Sequence, residues 1–238
     1  MSPEHFEYVG SELELFREAR NWKRYFAERL SPHLRGRVLE VGAGIGGTTR
    51  VLFNAGVERW VCLEPDRSMV PRIEAVAGEL GARERIEVRV GTVAELAPDE
   101  KFDAILYIDV LEHIADDEDE LRRSAAHLAP RGKLIVLSPA HQFLFSKFDE
   151  AVGHCRRYDR AGLRELTPAG LELASLYYLD SVGFAASLAN RMLLKQSQPT
   201  PAQIQLWDRR MVPLSRIADR LLQRKFGKTI VGIWTRPA

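Results

Sequence analysis

Apolar positions follow two alternating rhythms through the first half of the chain. Short β-branched or apolar runs, RVLEVG, RWVCLE, RIEVRVG, FDAILYIDV and KLIVLSP, are each long enough for one strand. Between them lie stretches with apolar residues at helical spacing, from about Thr48 to Ala55, Ser68 to Leu80 and Asp117 to Leu128. Strands joined by helices at this spacing predict right-handed βαβ crossovers and an α/β fold whose parallel sheet is covered on both faces. Ahead of them, residues 11–30 place Leu15, Ala19, Trp22, Phe26 and Leu30 on one helical stripe, with Pro32 as a stop. One amphipathic N-terminal helix is expected there. After Pro139 a polar loop leads to a helix near Ala161 to Leu166, a strand at LELASLYYLD, a largely helical insert from about Val182 to Phe226 and a last strand at TIVGIWT. The segment Gln196–Ala202, QSQPTPA, interrupts the insert and divides no domains.

Composition narrows the class. With 45% hydrophobic and 28% charged residues the chain reads as an ordinary soluble protein. No apolar run reaches the length of a membrane span, and MSPEHFEYVG carries acids where a signal peptide needs a basic and then an apolar segment, so a cytoplasmic location is expected. Cys62 and Cys155 have neither metal-ligand spacing nor the density of a disulfide framework; free thiols and no metal site are expected. The net charge of +1 hides an asymmetry, because residues 190–238 hold ten Lys/Arg against two Asp/Glu. The C-terminal fifth is suited to an anionic neighbour.

The run VLEVGAGIGGTT, residues 38–49, contains G-x-G-x-x-G from Gly42, a pattern that brings a backbone close to a nucleotide at the end of a parallel strand. A dinucleotide would set its pyrophosphate against the following helix N-terminus and favours no nearby acid. Yet Glu40 stands two residues before Gly42. A carboxylate there suits a ligand with a positive centre. Glu64, ending the second strand in WVCLEPD, can take two hydrogen bonds from vicinal ribose hydroxyls, a feature both ligand classes share. Taken singly, either acid has a capping or solvated alternative.

In order, VLEVGAGIGGTT, LEPD, VGTVAEL, FDAILYIDVLEHI and LAPRGKLIVLSPA resemble the successive motifs of class I S-adenosylmethionine-dependent methyltransferases. The later GHCRRY, a VPL segment and a short final strand resemble a bacterial branch of that class. The resemblance implies a Rossmann-like seven-stranded sheet of order 3-2-1-4-5-7-6 with the last strand antiparallel. It divides a single 1–238 domain into an N-terminal helical lid (1–35), a cofactor-binding core (36–140) and an acceptor side (141–238). It implies S-adenosylmethionine as cofactor, with Glu40, Gly42, Ala43 and Gly44 at the methionine end and Glu64 and Pro65 at the ribose. Asp66, Thr92 and Val93 would border the adenine, Ile108 and Asp109 would face the methyl group, and Asn21 and Trp22 would fold over the cofactor.

In-line methyl transfer needs orientation first, and a base where the acceptor is a hydroxyl or protonated amine. His141, the first polar side chain beyond the fifth strand, is the leading base candidate, with loop packing as the alternative; His113, one turn after Asp109, is expected to orient or to serve structurally. His154, Arg156, Arg157 and Tyr158 concentrate acceptor-binding groups in one loop, and at least one arginine is expected to tie that loop to acids of the same chain, since successive extended residues point opposite ways. The run Asp116–Glu120 is expected to be a solvated helix start. In the insert, Ile204, Trp207, Met211, Leu214, Ile217, Leu221 and Leu222 oppose a set of arginines, with Pro213 kinking or dividing the helix. A lid packed on the sheet is the favoured use; a basic face for peripheral membrane contact and a lipid-linked acceptor is the other. A small-molecule acceptor is expected and nucleic acid is not, because the basic residues lack interleaved aromatics. A dinucleotide-dependent oxidoreductase and a non-catalytic cofactor-binding partner are the competing classes.

Overall fold

The computed structural model describes residues 14, 16–191 and 200–238. Leu15 and most of QSQPTPA lie outside the described residues. Seven strands form one sheet of order β3-β2-β1-β4-β5-β7-β6: β1 (Gly36–Val41), β2 (Val57–Glu64), β3 (Ile86–Val90), β4 (Phe102–Ile108), β5 (Leu128–Pro139), β6 (Glu172–Leu179) and β7 (Thr229–Thr235). The first five pair in parallel, and β7 runs antiparallel to both β5 and β6.

Strand residues alternate between two cores, which is why the runs read as almost continuously apolar. Val38, Trp60, Ala104, Leu106 and Ile135 pack on one face beneath α1 (Arg20–Leu30), α2 (Gly47–Leu52) and α3 (Val70–Glu79). Leu39, Val61, Ile105, Tyr107 and Val136 pack on the other, beneath α4 (Asp117–Ala126). The run Asp116–Glu120 starts α4, where Asp116 caps the helix by accepting from the Asp119 amide. Two short helices follow, α5 (Lys147–Ala151) and α6 (Arg160–Glu165), and the insert supplies α7 (Ser181–Ala189), α8 (Pro201–Leu206) and α9 (Val212–Leu221). Among the described residues no helix is long and apolar enough to cross a membrane.

Two expectations are corrected. The single helix expected over residues 11–30 is interrupted: Glu14 is helical, Phe16–Glu18 form a turn, and the helix after that turn starts at Arg20, with residues 11–13 and 15 outside the described residues. Its start lacks a local cap; instead Asp208 of the insert accepts from the Asn21 and Trp22 amides at 3.2 and 2.9 Å, satisfying two of the orphan donors. In the insert, the stripe expected to pack as a lid divides. Ile204 is buried, and Trp207 and Met211 line a cavity, but Leu214, Ile217, Leu221 and Leu222 are exposed. The buried stripe of the insert is instead Asp208, Val212, Ser215 and Asp219. Pro213 occupies the first turn of α9, directly after a π-helical turn over Trp207–Met211.

Candidate functional site

β1 and β4 lie side by side, and the chain leaves them toward opposite halves of the sheet. Such a reversal opens a crevice at the carboxyl ends of the strands. A cavity of about 930 Å³ opens there, walled by Trp22, Phe26, the Gly42–Gly44 turn, Ile108 and Asp109. The turn requires glycine: Gly42 has φ +68°, and a Cβ would meet the Val110 side chain at 2.7 Å.

Both acids flanking this turn are buried. Strand alternation sets Glu40 on the face that carries Trp60 and Cys62, and its Oε2 accepts from Thr49 and, at 2.8 Å, from the Trp60 indole. Burial pushes its carboxyl up to about 7 against the pull of those bonds. Glu64 accepts from the Gly44 amide at 2.7 Å and the Asp66 amide at 2.9 Å. Its carboxyl is raised by burial, which those two bonds oppose. The Gly44 amide is therefore already committed to a carboxylate. Pro65 joins Glu64 to Asp66, whose side chain caps the next turn by accepting from the Ser68 amide. Val93 is buried, and exposed Thr92 forms a capping box with Glu95; Glu40, Glu64, Asp66, Thr92 and Val93 all stand behind or beside the cavity wall rather than in it.

α1 contributes Trp22 to the wall, while Asn21 donates to Asp208. Sequence reasoning missed Lys23, which also lines the cavity, with Nζ 3.2 Å from where a Cβ on Gly47 would lie. Its place next to Trp22 on the covering helix was the available signal. Asp109 follows β4 in a left-handed conformation, φ +54°. Its exposed surface faces the cavity, where burial by the surrounding protein raises its carboxyl, opposed by His154 and Lys228. Lys228, also missed, lines the same wall, and burial lowers its ammonium.

The GHCRRY loop is zipped to the end of β5 by Tyr158 N to Pro139 O and His141 N to Tyr158 O. This holds residues 156–158 extended, so that their side chains alternate. Arg156 and Tyr158 point away from the cavity to Asp117, the tyrosine hydroxyl at 2.7 Å. His154 and Arg157 point in, and Arg157 grips Asp149 with a two-pronged bond at 2.8 and 2.9 Å. Burial works to raise Asp149, but its bonds from His154, Arg157 and Ser146 prevail and hold it far below the usual carboxylate range. Both arginines are thus tied to acids of the chain. Glu112 and His113 join His154 on the cavity wall; the His113 ring is lowered to about 4 by burial and then by His154.

His141 is not brought to this wall. Its Nε2 lies 3.0 Å from the Gly227 carbonyl, and its ring stacks on Tyr178 at 4.9 Å, because φ +68° turns it toward β6.

A family model described as a methyltransferase domain matches residues 12–176. The chain is 34% identical over 111 residues to a ubiquinone biosynthesis O-methyltransferase of Azorhizobium caulinodans, covering 46% of this chain and 43% of that one. It is 31% identical over 110 residues to the norajmaline N-methyltransferase of Rauvolfia serpentina, covering 45% and 30%. These matches span less than half the length of each relative. Among solved structures, a geranyl diphosphate methyltransferase in complex with S-adenosylmethionine superposes with a TM-score of 0.66 at 15% identity, over 95% of this chain and 90% of that one. A methyltransferase from Clostridium acetobutylicum gives 0.59 at 12%, over 93% of each. At such identities the likeness shows the fold, that of class I S-adenosylmethionine-dependent methyltransferases. With the family model matched over more than half its length, the chain belongs to the methyltransferase-domain family.

Proposed function

We propose that this chain transfers a methyl group from S-adenosylmethionine to an oxygen or nitrogen of a small molecule. The observation that carries the reading is the pair of carboxylates at the glycine turn. Glu64 already holds the Gly44 amide that a pyrophosphate would need, and Glu40 adds a second acid two residues before Gly42. A cationic ligand fits this setting and a dinucleotide does not. The O- and N-methyltransferases matched over the core support the same choice.

When bound, S-adenosylmethionine supplies an electrophilic methyl carbon on a sulfonium. Gly42, Ala43 and Gly44 would leave space for the methionine end, Glu40, buried behind that turn, would favour its ammonium by charge, and Lys23 would take its carboxylate. Glu64 keeps lone pairs for the ribose hydroxyls, with Pro65, Asp66, Thr92 and Val93 beside the adenine. Trp22 would cover the cofactor, and Asn21 fixes the covering helix to Asp208. Ile108 and Asp109, on the cavity wall, would face the methyl. With the cofactor supplying the methyl group, Asp109 would receive the proton that the acceptor gives up. Arg157 is committed to Asp149, so Lys228 is a cation on the wall placed to hold an anionic group of the acceptor. The test is a cell extract incubated with the enzyme and methyl-labelled cofactor, followed by mass spectrometry. A product heavier by one labelled methyl is expected; no labelled product, together with no binding of S-adenosylhomocysteine, overturns the reading.

One observation favours a lipid-linked acceptor. Leu214, Ile217, Leu221, Leu222 and Phe226 are exposed, and both acids between Pro201 and Lys228, Asp208 and Asp219, are buried. The exposed charges there are cations, Arg209, Arg210, Arg220 and Lys225. An apolar row flanked by these cations, with Glu28 paired to Arg216, fits an anionic lipid surface. Cosedimentation with phosphatidylglycerol vesicles, lost in high salt and absent with neutral vesicles, is the expected result; no vesicle binding at low salt removes this reading.

A further inference from the structure

Three side chains that the proposed transfer leaves unused meet beside Asp109 on the cavity wall: Glu112, His113 and His154. Each offers one ligand atom, and these atoms lie within 4.8 Å of one another. Glu112 is fully buried. Its Oε2 accepts from the Ser138 hydroxyl at 2.9 Å, but its Oε1 has no hydrogen-bond partner. That oxygen lies 4.0 Å from His154 Nε2, too far for a hydrogen bond. We infer that Glu112, His113 and His154 form a binding site for a divalent first-row transition ion.

The anchoring of each ligand supports the assignment. Metal-bound histidines are held by a bond from their other ring nitrogen to a carboxylate or backbone group. His154 Nδ1 lies 2.9 Å from Asp149, and Asp149 is fixed in turn by the Arg157 fork and the Ser146 hydroxyl. The His113 ring hydrogen-bonds the Gly153 backbone and meets the His154 ring edge-on at 4.6 Å. Ser138 plays the same part for Glu112. Three donors thus converge, each with its far side secured. Metal–ligand bonds of about 2.0–2.2 Å require donors roughly 3–4 Å apart, so an ion would draw these atoms inward by about 1 Å. Two imidazoles and one carboxylate suit Zn²⁺, Co²⁺ or Fe²⁺ and leave coordination positions open, whereas Mg²⁺ and Ca²⁺ call for oxygen ligands. Residues 109–114, DVLEHI, bring Glu112 and His113 together, but His154 lies 41 positions further on. That separation hid the set from spacing rules.

An ion here would polarise an acceptor hydroxyl beside Asp109 and lower its pKa, a use that rests on the methyl-transfer reading. The binding itself does not. The full chain, stripped with chelator, is titrated with Zn²⁺ by calorimetry and with Co²⁺ by visible absorption, without cofactor or acceptor. One ion per chain is expected. His154→Gln and Glu112→Gln should each weaken binding at least about 100-fold, and Asp149→Asn, which acts through His154, about 10- to 100-fold; His33→Ala should change nothing. Circular dichroism checks the fold, and His154→Gln decides the matter if the buried Glu112→Gln chain does not fold. No ion bound by the wild type, or equal affinity in folded His154→Gln and wild type, overturns the site. Ion binding without any methylated product leaves the site standing and counts against the methyl-transfer reading instead.

Discussion

At the scale of single residues, backbone conformation decides which polar groups reach the cavity. Asp109 and His141 both follow strands at the same sheet edge and both have positive φ, yet one faces the cavity and the other Tyr178. Spacing placed both at the edge, but nothing local in the sequence reports a φ of +68° on a histidine. The alternation of Arg156 and Arg157 was legible, because extended residues must point opposite ways. Asp109→Asn should lower turnover about 10²- to 10⁴-fold with little change in cofactor affinity, while His141→Ala should leave turnover within a few-fold; steady-state rates beside calorimetric affinities check both. Glu40 adds a pH dependence. Its folded carboxyl titrates near 7, above its ordinary 4.5, so the protein is neutral there below that pH. A cationic ligand prefers the ionised form. The Kd for S-adenosylmethionine should therefore fall as pH rises through about 7, and grow toward tenfold per pH unit below it. Stability of the free protein moves the other way, dropping by about 3 kcal/mol from pH 4.5 to 7, since the folded state there binds more protons than the unfolded. Glu40→Gln should flatten both profiles in calorimetry and in urea melts.

At the scale of elements, the insert shows how a periodic pattern can be read at the right spacing and on the wrong face. Leu214, Ile217 and Leu221 do share one face of α9, but the opposite face is the one that packs. What it packs against is backbone in need of acceptors. Asp219 takes the Asp180 and Ser181 amides at 2.8 and 2.9 Å and the Tyr25 hydroxyl at 2.8 Å, while Ser215 bonds Asp180 and the Val182 amide. These demands come from α1 and α7, far away in sequence, so helix periodicity contains no sign of them. Asp219→Ala leaves two buried amides and a hydroxyl unpaired and should cost about 3 kcal/mol, read as a lower urea midpoint. Ile217→Ser, on the apolar but exposed side, should stay within about 0.5 kcal/mol of wild type and still reduce vesicle binding.

At the scale of the whole molecule, the covering of the sheet on both faces was legible from regular features, short apolar runs and crossover lengths, whereas the strand order was legible only through the motif resemblance. The cavity's far wall was less so. It is assembled from α1, the loop after β5 and the insert, whose mutual bonds cross nearly 190 positions in sequence, as between Asn21 and Asp208. A ligand seated in the crevice touches both halves of the sheet and the covering helix, so it should stabilise the whole fold and not one loop. Under the proposed function, S-adenosylhomocysteine at 100 times its Kd adds about 2.7 kcal/mol. For a chain of this length each kcal/mol raises Tm by about 2–4 °C, giving a shift of about 5–10 °C in scanning calorimetry. NADH at the same concentration should give none, because the Gly44 amide is held by Glu64 and Glu40 adds a second acid behind the turn. A shift with NADH and none with the thioether would mean that the two carboxylates do not select the ligand.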